Sequence, residues 1–266
     1  MFWLIILGVF GAMLAVMLAA WAFGLVSRNG GWTDVFWTWG TGFVLAAAAL
    51  VPLDGPTPEP RQWLVAAFMI LWSARLGLYL TSRVAGHPED PRYAAFREGD
   101  AKTYPLRMLF VTLPQAPAAA LLAIPVVLAA RRPELGLDAR DALAIAIFVV
   151  AILGEGVADT QLKRFRADPA NKGRVMDQGL WAWSRHPNYF FQWLGWLAYP
   201  VIVFEPGQPL TWLSFIAAAV MFGLLRFVSG VPPLEEAMLK SKGDLFRDYQ
   251  ARVSAFFPVP PKGRRS

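Results

Sequence analysis

A stripe of ionisable residues follows one face of a predicted membrane helix near the middle of the chain. Glu155, Asp159, Lys163 and Arg166 are spaced so that all four lie on the same side of a helix. Carboxylates in this arrangement can hydrogen-bond ribose or amide groups, and the two cations can hold phosphates. The alternative is a set of intrahelical ion pairs at a membrane boundary. Ionisable groups inside a membrane are functional candidates because each costs about 3 kcal/mol or more unless it is paired or hydrated.

A second candidate site lies in residues 179–196, where an apolar stretch is interrupted by polar residues. Pro187 suits the first turn of a helix, because its missing N–H costs nothing there. The helix would carry two amides one turn apart and would be preceded by a cation and an imidazole: Asn188, Gln192, Arg185 and His186. Free N–H groups at a helix start attract anions. The string therefore predicts an anion-binding helix start, although His186 taken alone could equally be structural.

A third group places Trp72, Arg75 and Tyr79 on one face of an earlier predicted helix. The alternative interpretation is a snorkelling arginine near the end of a membrane span, with aromatic packing around it.

The elements that position these groups are predicted to be membrane spans. The chain is 56% hydrophobic and 17% charged, with a mean hydropathy of +0.41, and soluble domains carry about 25% charged residues. We predict an all-α integral membrane protein, a single bundle of about seven transmembrane helices at 2–26, 35–53, 62–82, 108–130, 142–160, 180–204 and 211–229. Residues 1–266 would form one transmembrane domain, with 230–266 a cytoplasmic tail packed on the cofactor side. The first apolar run is predicted to be a retained span and not a signal peptide.

Basic residues predict the orientation of these spans. They concentrate in the 83–107 loop, in the 161–178 stretch and after Lys240, whereas the alternate loops hold only Arg61, Arg131, Arg132 and Arg140. The positive-inside rule then places the N-terminus outside and the C-terminus inside. The formal charge of +6 and the pI near 9.8 have this explanation, so we expect no nucleic-acid partner.

The chain has no Cys and only two His, His87 and His186. This composition excludes thiolate nucleophiles, disulfides, iron–sulfur clusters and Cys-rich zinc sites, and we expect no metal. Redox chemistry would require a diffusible organic cofactor.

The string Arg185-His-Pro-Asn-Tyr189 behind Gly179-Leu-Trp resembles the signature of bacterial membrane proteins grouped with the steroid 5-alpha-reductases. The resemblance covers most of the chain and includes Arg75-Leu-Gly-Leu-Tyr79, Asp90-Pro-Arg-Tyr93, Gln115, Ala158-Asp-Thr-Gln161, Ser229-Gly-Val-Pro-Pro-Leu-Glu235 and the tail from Tyr249 to Pro258. It implies a seven-helix bundle in the bacterial inner membrane that binds NADPH from the cytoplasmic side. Better-known members transfer hydride to the carbon–carbon double bond of an enone.

Cofactor contacts carried over from the resemblance fall on Tyr79, Asp159, Arg166, Asn188 and Arg226, with Tyr249 a weaker match. Together with the cations and polar groups of the two candidate sites, the predicted cofactor-binding set is Tyr79, Asp159, Lys163, Arg166, Arg185, His186, Asn188, Gln192, Arg226 and Tyr249.

The chain departs from the steroid reductases at three places. Trp72 replaces a tyrosine that polarises the enone, Gln192 replaces an acid, and only Asp34 lies near the position of a Gln-Glu pair. An indole N–H cannot act as a proton source like a phenol. Steroid specificity is therefore not implied.

Three functional hypotheses remain at this point. The first is an NADPH-dependent reductase of a hydrophobic, lipid-like enone in the bilayer, in which Asp34, Arg75 or Tyr79 polarises the carbonyl and supplies a proton and Glu155 assists. The second is an S-adenosylmethionine-dependent methyltransferase similar to the isoprenylcysteine carboxyl methyltransferases, which share an Arg-His-Pro-x-Tyr string and a later Glu-Glu pair, here Glu235-Glu236. The third is a lipid-binding or transport protein without enzymatic activity.

Overall fold

A computed structural model describes residues 1–52, 57–97, 102–134 and 136–262. Within these ranges the regular structure is helical, with no strand longer than one isolated bridging pair. The chain divides into two compact units. Unit 1 comprises Met1–Asp138 and Ile202–Ala217, and unit 2 comprises Ala139–Val201 and Ala218–Ser266.

Unit 1 contains the first six helices. They are α1 (Phe2–Ser27), α2 (Trp32–Ala49), α3 (Pro60–Val84), α4 (Pro91–Ala94), α5 (Tyr104–Thr112) and α6 (Gln115–Ala130), with short 3₁₀ turns at Ala95–Arg97 and Pro209–Phe215. The start of α3 is fixed by a capping box, in which the Glu59 backbone N–H donates to Gln62 Oε1 over 3.0 Å. Pro60 occupies the first turn, where no N–H is needed.

Helices α2 and α3 approach closely because small residues lie between them. A Cβ atom at Gly42 would lie 2.0 Å from Ser73 Cβ, and one at Gly77 would lie 2.6 Å from Trp39 Cε2. Neither helix could keep this spacing with a larger residue at the contact.

Two arginines in unit 1 are buried and bonded to loop carbonyls. The Arg61 guanidinium donates to the Arg132 carbonyl over 3.3 Å and to the Gly136 carbonyl over 2.5 Å, and it also donates to the Glu134 carbonyl. Arg132 in turn pairs with the carboxylates of Glu134, over 2.7 Å, and Asp138. These arginines lie on the side predicted to be outside, and their charge is bound within the protein.

Unit 2 is built on α7 (Ala139–Ala167) and α8 (Pro187–Trp196). Gly154 allows their contact, since a Cβ atom there would lie 2.4 Å from the Phe191 ring. The remaining elements are α11 (Val231–Lys242), α12 (Asp244–Arg252) and a π-helical turn at Leu224–Val228, while α9 (Ala198–Val203) and α10 (Ile216–Gly223) run across the boundaries between the units.

Five helical segments are long and apolar enough to cross a membrane: Phe2–Ser27, Pro60–Val84, Tyr104–Ala130, Ala139–Ala167 and Pro209–Lys242. The helical fold is therefore confirmed for the described residues, and the five apolar segments support a multi-pass membrane protein. The predicted spans 35–53 and 180–204 are not among the five. The first corresponds to α2, whose Asp34 and several Thr and Trp residues lower its hydropathy. The second begins with a 3₁₀ turn at Gly179–Ala182, becomes α-helical only at Pro187 and breaks at Leu197, between α8 and α9.

Candidate functional site

The start of α8 is organised by the residues that the sequence singled out. The helix begins at Pro187, as predicted, and His186 is its N-cap residue. Ser184 Oγ accepts a hydrogen bond from the His186 N–H over 3.1 Å, which fixes the chain just before the helix. His186 and Ser184 are both buried.

Glu235, at the start of α11, is the centre of a buried polar cluster beside this helix start. Its Oε1 accepts from Arg185 Nε over 2.7 Å and lies 3.1 Å from His186 Nε2. Its Oε2 accepts from Gln250 Nε2 over 2.7 Å and from Arg185 Nη2 over 3.1 Å. The four contacts fill the acceptor positions of an ionised carboxylate. Arg185 was predicted as a cation for an anionic ligand, and here its charge is matched by a carboxylate of the protein.

The imidazole of His186 is held from two sides. Its ring stacks on Tyr189 with centroids 5.5 Å apart and an interplanar angle of 10°. Burial lowers the pKa of His186, the positive charges of Arg185 and Arg226 lower it further, and contact with Glu235 opposes the shift only in part. The ring is therefore neutral at neutral pH.

Asp159 and Asn188 join the two candidate sites that the sequence predicted separately. Asn188 Nδ2 donates to Asp159 Oδ1 over 3.1 Å, and Asn188 Oδ1 accepts from the Tyr189 N–H over 3.1 Å. Glu155 is buried one turn before Asp159 on α7, and Gln192 is buried one turn after Asn188 on α8. The α7 stripe and the α8 motif therefore form one polar site within unit 2.

The cations of the stripe remain available. Lys163 and Arg166 are exposed on the last turns of α7, and neither forms an ion pair within the described ranges. Arg226 is half-buried in the π-helical turn, with its guanidinium 5.1 Å from the centre of the Phe227 ring. Short π-helical segments are frequent at functional sites. These three side chains could meet the charges of an anionic ligand.

A C-terminal strap, residues 253–259, lies along the chain segment that precedes α8. The Arg185 N–H donates to the Ser254 carbonyl over 2.8 Å, and Ser184 Oγ donates to the Phe256 carbonyl over 2.8 Å. The Val259 N–H donates to the Trp183 carbonyl over 3.1 Å. The strap therefore determines the shape of the segment that carries Arg185.

Tyr249, a predicted cofactor contact, is buried in the same part of unit 2. Its hydroxyl donates to the Trp181 carbonyl over 2.5 Å and lies 3.4 Å from the Ser184 carbonyl. Burial raises its pKa, so the phenol stays protonated and keeps its role as a donor. These contacts give Tyr249 a positioning role for residues 181–184.

The predicted catalytic residues of unit 1 are only partly brought together. Asp34 Oδ1 accepts from the Tyr93 hydroxyl over 2.7 Å, and Asp34 lines a pocket of about 350 Å³ with Arg83 and other residues. Tyr79 is 40% exposed, with the Arg83 guanidinium 5.9 Å from its ring centre. Arg75 is half-buried one turn earlier on α3. Neither Arg75 nor Tyr79 belongs to the described lining of this pocket.

Glu89 is the centre of a second carboxylate cluster in unit 1, which no sequence motif indicates. Glu89, which also lines the pocket, accepts from the Gly30 N–H over 2.5 Å and from Arg97 Nε over 2.6 Å. The hydrogen bond to Glu89 raises the pKa of Arg97. The Arg97 guanidinium also lies 4.1 Å from the Tyr104 ring centre. Glu89 thus connects its own loop with Gly30, which precedes α2, and with Arg97, which follows α4.

The sequence places Glu235 in the Ser229–Glu235 stretch of the resemblance and in the Glu235-Glu236 pair, but it does not identify Glu235 as the partner of Arg185 and His186. The available signal was an acidic residue that follows two prolines at a helix start. Its partners lie 49 and 50 residues away, beyond the reach of any helical periodicity.

Residues 20–253 match the model of a family described as "Protein of unknown function (DUF1295)". An uncharacterized protein of Schizosaccharomyces pombe is 31% identical over 224 residues, which cover 74% of this chain and 64% of that relative. That relative is fungal. No solved structure matches the chain. Because the family model covers both the α7 stripe and the α8 motif, the chain belongs to the DUF1295 family.

Proposed function

We propose that this protein is a membrane-embedded, NADPH-dependent reductase that transfers hydride to the activated carbon–carbon double bond of a hydrophobic, lipid-like enone. It would be an oxidoreductase that acts on CH–CH groups. The observation that carries the proposal is the hydrogen bond between Asn188 and Asp159, followed one and two turns along α7 by two exposed cations. The resemblance to the steroid 5-alpha-reductases supports the same assignment.

The residues present fit a phosphorylated dinucleotide. Such a cofactor carries several phosphate charges, and Lys163, Arg166 and Arg226 are cations with no carboxylate partner in the described part of the chain. It also carries hydroxyl and carboxamide groups, and Asn188 keeps one N–H after its bond to Asp159. When bound, NADPH supplies the hydride.

The side chains of unit 2 would have separate roles in binding the cofactor and in excluding water. Lys163 and Arg166 would hold phosphate oxygens through charge-assisted hydrogen bonds. Asp159 and Asn188 would orient hydroxyl or amide groups. The rings of Phe190, Trp193 and Phe222 pack with those of the strap, Phe256 and Phe257. This aromatic cluster would exclude water from the neighbourhood of α8.

The proton would come from a side chain that can stabilise the charge developing on the carbonyl oxygen. Asp34, Arg75, Tyr79 and Glu155 remain the proposed residues. The contact between Asp34 and the Tyr93 phenol adds a hydroxyl beside Asp34. The Tyr93 phenol supports the proposal, because it can supply a proton in unit 1, which the indole of Trp72 cannot do.

The proposed topology keeps seven spans, with α2 and the α8–α9 pair as the two additional ones, the N-terminus outside and the C-terminus inside. Exposure of the basic residues supports it. Lys163, Arg164, Arg166, Lys172 and Arg174 are exposed on the proposed cytoplasmic side. Arg61 and Arg132, on the other side, are buried and bonded to the protein. Exposed cations therefore lie close together between residues 163 and 174, on the side that the positive-inside rule makes cytoplasmic.

The methyltransferase alternative relies on Glu235-Glu236. The Glu235 carboxylate already contacts four nitrogen atoms of the protein, and Glu236 is exposed and paired with Lys240 over 2.6 Å. Neither arrangement favours a role in binding S-adenosylmethionine. A cofactor without phosphate would also offer no phosphate charge for Lys163 and Arg166 to bind.

Thermal unfolding of the detergent-solubilised protein with NADPH, NADH or S-adenosylmethionine tests the proposal. A specific ligand at about 1,000 times its dissociation constant stabilises the folded state by about 4 kcal/mol. We expect stabilisation by NADPH that the variant Lys163→Ala/Arg166→Ala lacks. The matched control is Arg164→Ala/Lys172→Ala, which removes the same charge from neighbouring exposed positions. Stabilisation by S-adenosylmethionine alone would support the methyltransferase, and no response to any of the three ligands would contradict the proposal.

A further inference from the structure

The Glu235 carboxylate constrains the proton on the His186 ring. Oε1 lies 3.1 Å from His186 Nε2, and both carboxylate oxygens accept from Arg185. A carboxylate paired with a guanidinium in this way is ionised and can only accept. The hydrogen bond therefore exists only if Nε2 of His186 carries the proton.

The other ring nitrogen is then an acceptor. With the ring neutral and the proton on Nε2, Nδ1 has a free lone pair. In the described part of the chain no group donates a hydrogen bond to Nδ1, although the ring is fixed by Tyr189 and Glu235. Asn188, two residues further along the chain in the first turn of α8, belongs to the proposed cofactor site.

We propose that Glu235 is a positioning residue that fixes His186 as the Nε2–H tautomer, so that Nδ1 accepts a hydrogen bond from a hydroxyl or amide donor of the bound nucleotide. The ligand half of this inference rests on the proposed NADPH function. The tautomer half does not, because it concerns the protein without ligand. Glu235 itself has no acceptor position left for the ligand, so its effect must pass through His186.

Nuclear magnetic resonance of ¹⁵N-histidine-labelled protein measures the tautomer directly. The chain has two histidines, and His87→Gln leaves His186 as the only labelled ring. We expect an unprotonated Nδ1 and a protonated Nε2 at neutral pH, with the Nδ1 signal shifting when NADPH is added. Glu235→Gln should give a mixture of tautomers, because an amide can donate as well as accept. Glu236→Gln, the adjacent exposed position, should leave the spectrum unchanged.

Two substitutions of His186 separate its two contacts and remain informative if Glu235→Gln fails to fold. His186→Gln can keep the contact of Nε2 with Glu235 but loses the acceptor at Nδ1. His186→Asn keeps a polar group near Nδ1 but cannot reach Glu235. We expect His186→Gln to weaken NADPH binding by roughly threefold to tenfold with an unchanged melting temperature of the free protein. His186→Asn should lower that melting temperature and keep the affinity of the folded fraction.

A protonated Nδ1 in the unaltered protein would overturn the tautomer half, whatever the cofactor. An unchanged NADPH affinity in His186→Gln would overturn the ligand half. If the unaltered protein binds no NADPH, the proposed function fails and the ligand half fails with it, while the spectrum of the free protein still decides the role of Glu235.

Discussion

The side-chain amide of Asn188 donates to the Asp159 carboxylate over 3.1 Å and thereby joins the first turn of α8 to α7. The same amide accepts from the Tyr189 N–H. Asn188 therefore has a structural task and still keeps one N–H and one lone pair. That remaining capacity matches a carboxamide, which needs one donor and one acceptor.

Replacement of Asn188 tests whether this spare capacity holds the cofactor. Asn188→Ala should weaken NADPH binding by about 1–3 kcal/mol, the loss of one or two hydrogen bonds. Asn188→Asp should be worse, because it places a second carboxylate against Asp159 and faces an anionic cofactor. Isothermal titration calorimetry in detergent would measure both. A lower melting temperature of the free protein with unchanged affinity would show that Asn188 only ties the helices together.

Removal of Arg166 should distinguish the two nicotinamide cofactors. If Arg166 meets the 2′-phosphate, Arg166→Ala should weaken NADPH binding by about 1.5–3 kcal/mol, as for a hydrogen bond to a charged group, and leave NADH binding unchanged. The control is Arg164→Ala, another exposed arginine on α7. Equal losses for both nucleotides would move Arg166 to the pyrophosphate, and no loss for either would remove it from the site.

Tyr249→Phe tests a positioning role against a cofactor contact. The variant loses the hydrogen bond to the Trp181 carbonyl inside unit 2, so the free energy of unfolding should fall by about 1–3 kcal/mol through an unsatisfied buried carbonyl. The NADPH affinity of the folded protein should change by less than roughly threefold. A large loss of affinity with normal thermal stability would instead identify Tyr249 as a direct contact.

Acidification should destabilise the protein through His186. Burial lowers its pKa in the folded state, whereas an unfolded histidine titrates near about 6.5. As the pH falls below about 6.5, the unfolded chain binds more protons than the folded one, so the free energy of unfolding decreases. The decrease is complete below the folded pKa. His186→Gln should show a smaller loss of melting temperature between about pH 7.5 and 5.5, and His87→Gln, at an exposed position, should match the unaltered protein.

Single-cysteine labelling can show whether the α8–α9 pair crosses the membrane, because the chain contains no cysteine. Lys172→Cys and Gly207→Cys are exposed positions on either side of the α8–α9 pair. With seven spans, an impermeant maleimide applied to intact cells should label the Gly207→Cys protein and spare the Lys172→Cys protein. Labelling of both or of neither would mean that α8–α9 does not cross the membrane.

Much of the helical pattern follows from local sequence. The apolar runs predict both ends of α1 and α3 within two residues, but the start of α6 and the end of α7 only within seven, and Pro187 marks the start of α8. The same runs overestimate α2, because its Trp and Thr residues lie within an apolar run but make its transfer into the membrane less favourable. They also do not show the break at Leu197 between α8 and α9.

The site was predicted less completely than the helices. Helical spacing identified Asp159 and Asn188, but not their mutual contact, since 29 residues separate them. Arg185 was expected to meet a ligand because a cation before a helix start favours anions. Its partner, Glu235, is brought there only by the packing of α11 and the strap, which no periodicity in the sequence encodes.

The strap has a consequence for biosynthesis. Tyr249 lies 68 residues after Trp181 along the chain, and Val253 lies 68 residues after Arg185. At a synthesis rate of roughly 5–20 residues per second, several seconds pass between translation of the α8 motif and of the residues that shape it. A ribosome-bound chain can therefore insert its apolar helices while the polar site around Glu235 stays unformed. Chains cut before Tyr249 should still insert, but they lack the hydrogen bonds that residues after 248 make with Trp181, Ser184 and Arg185. Quality-control proteases would encounter this segment without the strap that covers it.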